Sequence, residues 1–157
     1  MTDTIKKIGL ISDTHGMLRR KAEEALAGVD LIIHAGDVDN QLVIDELELI
    51  APVQAVRGNM DFKAGVSSLP GYLSLKVGNM RIGVIHNRYQ LGIDPAAEGL
   101  SIIVHGHTHQ ASIEEINGVC YVNPGSAGPE RSGKPPSLGL LEMQNDRFVP
   151  TIVRLEE

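Results

Sequence analysis

The chain changes its pattern halfway along, and that change restricts the folds open to it. The first half alternates short apolar runs with amphipathic ones. Residues 7–12 (KIGLIS) read as a buried strand, and residues 17–27 (MLRRKAEEALA) as a helix with Leu18, Ala22, Ala25 and Leu26 on one face. Gly28 suits that helix's C-terminus. Residues 30–34 (DLIIH) form a second strand, 40–50 (NQLVIDELELI) a second helix capped by Asp39 and stopped by Pro52, and 53–56 (VQAV) a third strand. Strand–helix–strand–helix–strand implies a parallel core with right-handed crossovers. The second half reads as hairpins, with runs 72–77 and 81–85 flanking Gly78-Asn79, 112–116 and 119–122 flanking Asn117-Gly118, and 137–143 and 147–153 flanking Asn145-Asp146. The expectation is a parallel half followed by an antiparallel half, assembled as two packed sheets with helices outside.

The length of 157 residues fits one domain, 1–157, with a core large enough to fold unaided. A single cysteine, Cys120, excludes a disulfide framework and a multi-cysteine metal site, and reads as a small buried hydrophobe. The net charge of −6 argues against extended nucleic-acid binding and against an anionic membrane. Aromatic residues at 3% and the lack of tryptophan argue against a base-stacking platform. The apolar stretch 8–11 is too short for a signal peptide or a membrane span, so a cytoplasmic, reducing location is expected.

Polar residues gather where the strand signals stop. Asp13 and His15 follow the first run, Gly36 and Asp37 the second, and Gly58, Asn59 and Asp61 the third. His86 follows the run 81–85, and His105-Gly106-His107-Thr108-His109 follows 102–104. Strand C-termini of an open α/β sheet converge on one edge, where ligands bind. Imidazole and carboxylate donors without thiolate suit Mn, Fe or Zn. Two carboxylates, four imidazoles and an amide exceed the needs of one catalytic ion and match two ions sharing a carboxylate.

In order, DTHG, HAGD, RGNMD, the lone His86, HGHTH and NPGS resemble the motifs of the calcineurin-like metallophosphoesterases, most closely the small phosphodiesterase branch called YfcE-like. The resemblance implies an α/β fold, a four-layer αββα sandwich with two mixed β-sheets. It implies two divalent metal ions, manganese first, with nickel, iron, cobalt or zinc as alternatives. Asp13, His15 and His109 would bind the first ion, Asn59, His86 and His107 the second, and Asp37 would bridge them. Asp37, Asn59 and His86 are then the catalytic residues of a phosphoesterase in which a bridging hydroxide attacks phosphorus in line. A small phosphate ester or phosphodiester is the expected partner, contacted by Asn59 and Arg131; self-association stays open. The alternative is a non-enzymatic scaffold like the retromer subunit of the same superfold, against which the full set of ligand types speaks. A nucleotide-binding Rossmann module lacks its glycine fingerprint after the first strand.

Two positions depart from the family pattern. Met60 stands where phosphomonoesterases carry a histidine, which favours diesters and good leaving groups; Asn87 stands where a glycine is common. His34 and His105 read either as supports for ligands or as buried structural imidazoles, and Asp61 as a turn residue or a partner of a ligand rather than a ligand. Arg131 and Arg88 offer either a fork for phosphate or a solvated charge. Residues 123–126 (NPGS) read as a turn near the site, and 126–137 as a long surface loop.

Overall fold

The computed structural model describes residues 4–130 and 133–155. Strands β1 (Lys7–Ile11), β2 (Leu31–His34), β3 (Val53–Ala55), β9 (Ser137–Gln144) and β10 (Arg147–Arg154) form one five-stranded sheet, ordered β10-β9-β1-β2-β3. Strands β4 (Tyr72–Val77), β5 (Met80–Ile85), β6 (Ile102–Val104), β7 (Ser112–Ile116) and β8 (Val119–Asn123) form the other, ordered β4-β5-β6-β8-β7. Both are mixed. In the first, β1, β2 and β3 are parallel and β9 runs antiparallel to β1. In the second, β5, β6 and β8 are parallel, with β4 and β7 antiparallel at the edges.

The expected division into a parallel and an antiparallel half is therefore corrected. The last hairpin returns to the first strand, pairing Leu10 with Gly139, and so covers an apolar edge that β1 would otherwise leave open. The second half carries a parallel core of its own. The turns follow their sequences: Asn117-Gly118 and Asn145-Asp146 take positive φ at both positions, as two-residue hairpins prefer.

Alternation along the strands builds the layers. Ile8, Leu10, Leu31 and Ile33 point between the sheets, against Ile82, Val84, Ile102, Val104 and Val122. Burying each such side chain contributes about 1.5–3 kcal/mol. Ile11 and Ile32 point outward and pack under helices α1 (Arg20–Ala25) and α2 (Gln41–Glu48), through Ala22, Leu26, Val43 and Leu47. The outer face of the second sheet carries Ile85, Leu100, Ile103 and Val119, covered by Leu91 and Tyr121. The segment here includes a 3-10 turn, Arg88–Gln90.

Helix α1 is shorter than its composition suggests. Arg19 stays extended and its guanidinium donates to the Gly128 carbonyl at 3.0 and 3.1 Å, so the chain before residue 20 belongs to the ligand-bearing turn. Asn40, not Asp39, caps α2, accepting from Leu42 N at 2.9 Å. Asp39 is held at φ 85°, with its amide donating to Asp61 Oδ1.

Candidate metal centre

Strands β1, β2, β3, β5 and β6 deliver their C-terminal turns to one edge, where the two sheets meet. The turn after β1 carries Asp13 and His15, that after β2 Asp37, that after β3 Asn59, and those after β5 and β6 His86, His107 and His109. Asp13, His15, Asp37, His107 and His109 all sit at positive φ, between 48° and 74°. Such conformations cost about 1 kcal/mol or more each outside glycine and persist where surrounding contacts impose them. Glycine supplies the close approach: a side chain at Gly58 would run into Asp37, and one at Gly106 into Ser12 and Asp13.

Two groups of donors result. Asp13, His15 and His109 form one, and Asp13, Asp37 and His86 the other, with the ligand atoms of each group within 4.8 Å of one another. Asp13 Oδ1 is the common point, 3.3 Å from His109 Nε2 and 3.8 Å from both His15 Nε2 and His86 Nε2. Asp37 Oδ2 lies 3.4 Å from His86 Nε2 and 3.9 Å from His15 Nε2, so it too faces a histidine from each group. The His107 ring meets the His86 ring edge-on at 5.2 Å. His107 and Asn59 are exposed and, with His86, line a cleft of about 710 Å³ that opens beside the centre.

Each carboxylate commits one oxygen to the protein and turns the other to the histidines. Asp13 Oδ2 accepts from Ser12 Oγ at 2.6 Å and from the His107 amide at 3.1 Å. Asp37 Oδ1 accepts from the Met60 amide at 2.8 Å. His86 Nδ1–H donates to the Ala35 carbonyl at 2.8 Å, which fixes the tautomer and presents Nε2 to Asp37. Asp13 Oδ1 and His86 Nε2 are buried without a hydrogen-bond partner. Two bonds of ~2.1 Å to a shared cation would place ligand atoms ~3–4 Å apart. The separations here lie in that range, so the donor set fits two divalent ions, and the structure assigns the chain a dinuclear metal-binding site.

Electrostatics agree with the geometry. Burial pushes Asp13 and Asp37 upward, but contact with His109 and the charge of His86 for Asp13, and the His86 contact and the Met60 amide for Asp37, hold both below the ordinary carboxylate range. Burial alone would lower His86, yet Asp37 and Asp13 raise it. Metal uptake at His86 therefore displaces a proton and weakens as the pH falls.

Residues outside the two groups hold these turns in place. His34 is fully buried, accepts from the Gly36 amide at Nδ1 (3.0 Å), and so donates from Nε2 to Thr14 Oγ1 (3.0 Å), whose hydroxyl reaches the Val38 carbonyl. It braces the Asp13 turn against the Asp37 turn as a neutral imidazole. Asp61 accepts the amides of Asp37 (3.0 Å) and Gly58 (2.8 Å) on Oδ2 and of Asp39 (2.8 Å) on Oδ1. Asn123 Nδ2 donates to the Gly106 carbonyl and to Thr108 Oγ1, and Ser126 Oγ donates to the Asp13 carbonyl. The segment expected as a surface loop from residue 126 thus begins buried, at Ser126 and Ala127, against the ligand turn. Ser12 was not marked by any sequence motif of its own; its only signal is its place before Asp13. Asn87 accepts from the Tyr89 amide and caps the 3-10 turn at φ −114°, so no glycine is required there. The Arg88 guanidinium is committed to Glu114 (2.9 Å) and Tyr89 Oη (3.2 Å). Arg131 lies outside the described residues.

Burial lowers His34 to about 4. The unfolded chain protonates this imidazole near ~6.5. Between those values the unfolded state binds more protons, so stability is present above about 6.5 and is lost as the pH falls toward about 4. Denaturant titration of metal-free protein should show this loss reaching roughly 2–3 kcal/mol near pH 4.5. His34→Asn should be less stable at pH 7 and change less with pH over the same window; an unchanged slope would count against the assignment.

Residues 7–146 match the calcineurin-like phosphoesterase superfamily domain. A probable metallophosphoesterase of Methanothermobacter thermautotrophicus is 33% identical over 163 residues, covering 94% of this chain and 91% of that protein. The phosphodiesterase YfcE of Escherichia coli is 28% identical over 161 residues, covering 87% of each. Among solved structures, an archaeal phosphodiesterase superposes with a TM-score of 0.78 at 26% identity, covering 94% of this chain and 99% of its own. Vacuolar protein sorting 29 of Cryptosporidium parvum superposes at 0.75 with 23% identity, covering 99% and 100%, and shares the fold. The similarity does not single out the YfcE branch, since the Methanothermobacter protein is more similar. By the matched domain, these relatives and the dinuclear donor set, the chain belongs to the calcineurin-like phosphoesterase superfamily, as a metal-dependent phosphoesterase.

Proposed function

We propose that the chain, read as one phosphoesterase domain over residues 1–157, hydrolyses small phosphodiesters in the manner of the YfcE-like branch. The observation that carries this is the buried Asp13 Oδ1 facing three imidazoles at 3.3–3.8 Å, at the junction of two ligand groups. Two cations held there, manganese by preference, would supply Lewis acidity toward phosphoryl oxygens and lower the pKa of bound water. Asp37 would be shared between them alongside Asp13, a reading supported by its Oδ2 facing a histidine of each group. Asn59 and His107 complete the second ligand set from the cleft wall, and Asn59 also orients the phosphoryl group. Arg131, which follows NPGS in the sequence, is the candidate side chain for a phosphate contact. Met60 is half exposed, ties its amide to Asp37, and has no proton to give a leaving alcohol. Esters with good leaving groups are therefore preferred, and diesters over monoesters as the resemblance to the YfcE-like branch implies. A cleft of about 710 Å³ also exceeds what a lone phosphate needs and suits a substrate of small-molecule size.

Among the described residues no helix is long and apolar enough to cross a membrane. The lone Cys120, half-buried with its thiol pushed up by burial, suits a reducing cytoplasm.

Chelator-treated protein should be inactive and regain activity with Mn²⁺. It should cleave bis-p-nitrophenyl phosphate at least about tenfold better than p-nitrophenyl phosphate; both release p-nitrophenolate, so the ratio of kcat/KM values reads the preference for diester over monoester directly. No activity on either ester with Mn, Ni, Co, Fe or Zn would overturn the proposal. Fewer than one bound ion per chain would favour a scaffold instead.

A further inference from the structure

A second cleft, of about 410 Å³, lies beside the metal centre, lined by Asn87, Arg88, Tyr89, His105, Gln110 and Ser112 among others. It shares Asn87 with the larger cleft that holds His86 and His107, so the two meet across that residue. His105 is 4% exposed, and its Nε2 is buried without a hydrogen-bond partner. A buried polar atom in this condition costs stability unless something bonds to it. The phosphoesterase site does not use it, since the ligand groups draw on His15, His86 and His109.

The cleft also contains a prepared planar surface. Arg88 lies 5.0 Å from the Tyr89 ring centroid and 5.4 Å from that of Tyr121, and its guanidinium donates to Glu114 and to Tyr89 Oη. Tyr89 is 77% exposed, which leaves ring surface free. The Arg88–Glu114 pair is electrically balanced, so the cleft does not select a second anion. It is lined by flat π surface, by the buried His105 imidazole, and by the polar side chains of Gln110 and Ser112. A neutral planar ring with hydrogen-bonding groups on its edge satisfies all of these, and a nucleobase is such a ring.

We propose that the non-reacting part of the substrate carries a nucleobase, seated in this second cleft against Arg88, Tyr89 and His105 while the phosphodiester lies at the metal centre. The inference rests on the phosphodiesterase reading. It also fits the composition: 3% aromatic residues and a charge of −6 do not track a strand, but one base needs only one such surface.

The test has a binding arm and a kinetic arm. The four common deoxynucleosides, which carry no phosphate, are titrated calorimetrically into manganese-loaded protein. At least one should bind saturably, and Arg88→Ala and the cleft-filling Ser112→Phe should each weaken it about tenfold. The p-nitrophenyl ester of the corresponding 5′-nucleotide is then compared with methyl p-nitrophenyl phosphate, which presents the same scissile bond. The nucleotide ester should be favoured about tenfold in kcat/KM, through KM, and lose that advantage in both variants while the methyl ester is turned over as before. No binding of any nucleoside, equal kcat/KM in the wild type, or an advantage that survives both variants would overturn the proposal. If neither ester is cleaved while nucleoside binding persists and both variants weaken it, the phosphodiesterase reading falls and the base cleft stands.

Discussion

Asp13→Asn should leave a folded protein that no longer holds either metal ion. The amide oxygen can still accept from Ser12 Oγ and the His107 amide, so the turn keeps its internal bonds. The NH₂ then replaces Oδ1, the one atom that both ligand groups share. It carries no charge and no lone pair for a cation, and it faces His15, His86 and His109 at once. Metal analysis should fall from about two ions per chain to fewer than one, and kcat/KM on a phosphodiester by about 10³-fold or more, because nucleophile activation and charge neutralisation are lost together. The melting midpoint of the metal-free variant should stay within a few degrees of the metal-free wild type. Full metal content with retained activity would remove Asp13 from the centre; a collapse of the metal-free fold would show that its role is structural.

Asp61→Ala should do the opposite, damaging the fold first and the metals through it. The carboxylate is 3% exposed and receives three backbone amides, from Asp37, Asp39 and Gly58. Truncation leaves three donors on two adjoining turns without an acceptor, at a cost of about 3–5 kcal/mol in denaturant unfolding. In whatever fraction folds, the Asp37 turn loses its anchor, and metal affinity should drop about 10- to 100-fold, as for other residues that hold a ligand in place. Asp61→Asn, which keeps one acceptor oxygen, should fall between. A variant with alanine within about 1 kcal/mol of wild type would show that water replaces the carboxylate without loss.

How much of this could be read from the amino acids differs between the site and its frame. The candidate ligands announce themselves because they follow the ends of apolar runs, and several stand next to a glycine that allows close approach, as at Gly36-Asp37, Gly58-Asn59 and Gly106-His107. The pairing of strands is less legible. Nothing local in residues 137–154 says that this hairpin returns to β1, because that choice is made by an exposed strand edge elsewhere in the fold. Helix α1 is misjudged for a related reason: residues 17–19 have helix-forming side chains, but the Arg19 bond to Gly128 draws them into the ligand turn. The Asn40 cap is equally a tertiary outcome, since Asp39 is engaged by Asp61. His34 and Asp61 were visible as polar residues near the motifs, but their roles depend on which amides face them.

The position of the centre between the two sheets has a mechanical consequence. Asp13, His15 and Asp37 come from turns of one sheet, while His86 and His109 come from the other. Each group therefore includes donors from both sheets, and a cation bound by either ties the sheets together at their ligand edge. A chain with one cysteine has no covalent means of doing so. In this fold ions bound at these donors would also act as reversible cross-links between remote stretches of sequence, so metal-loaded protein should resist unfolding better than metal-free protein.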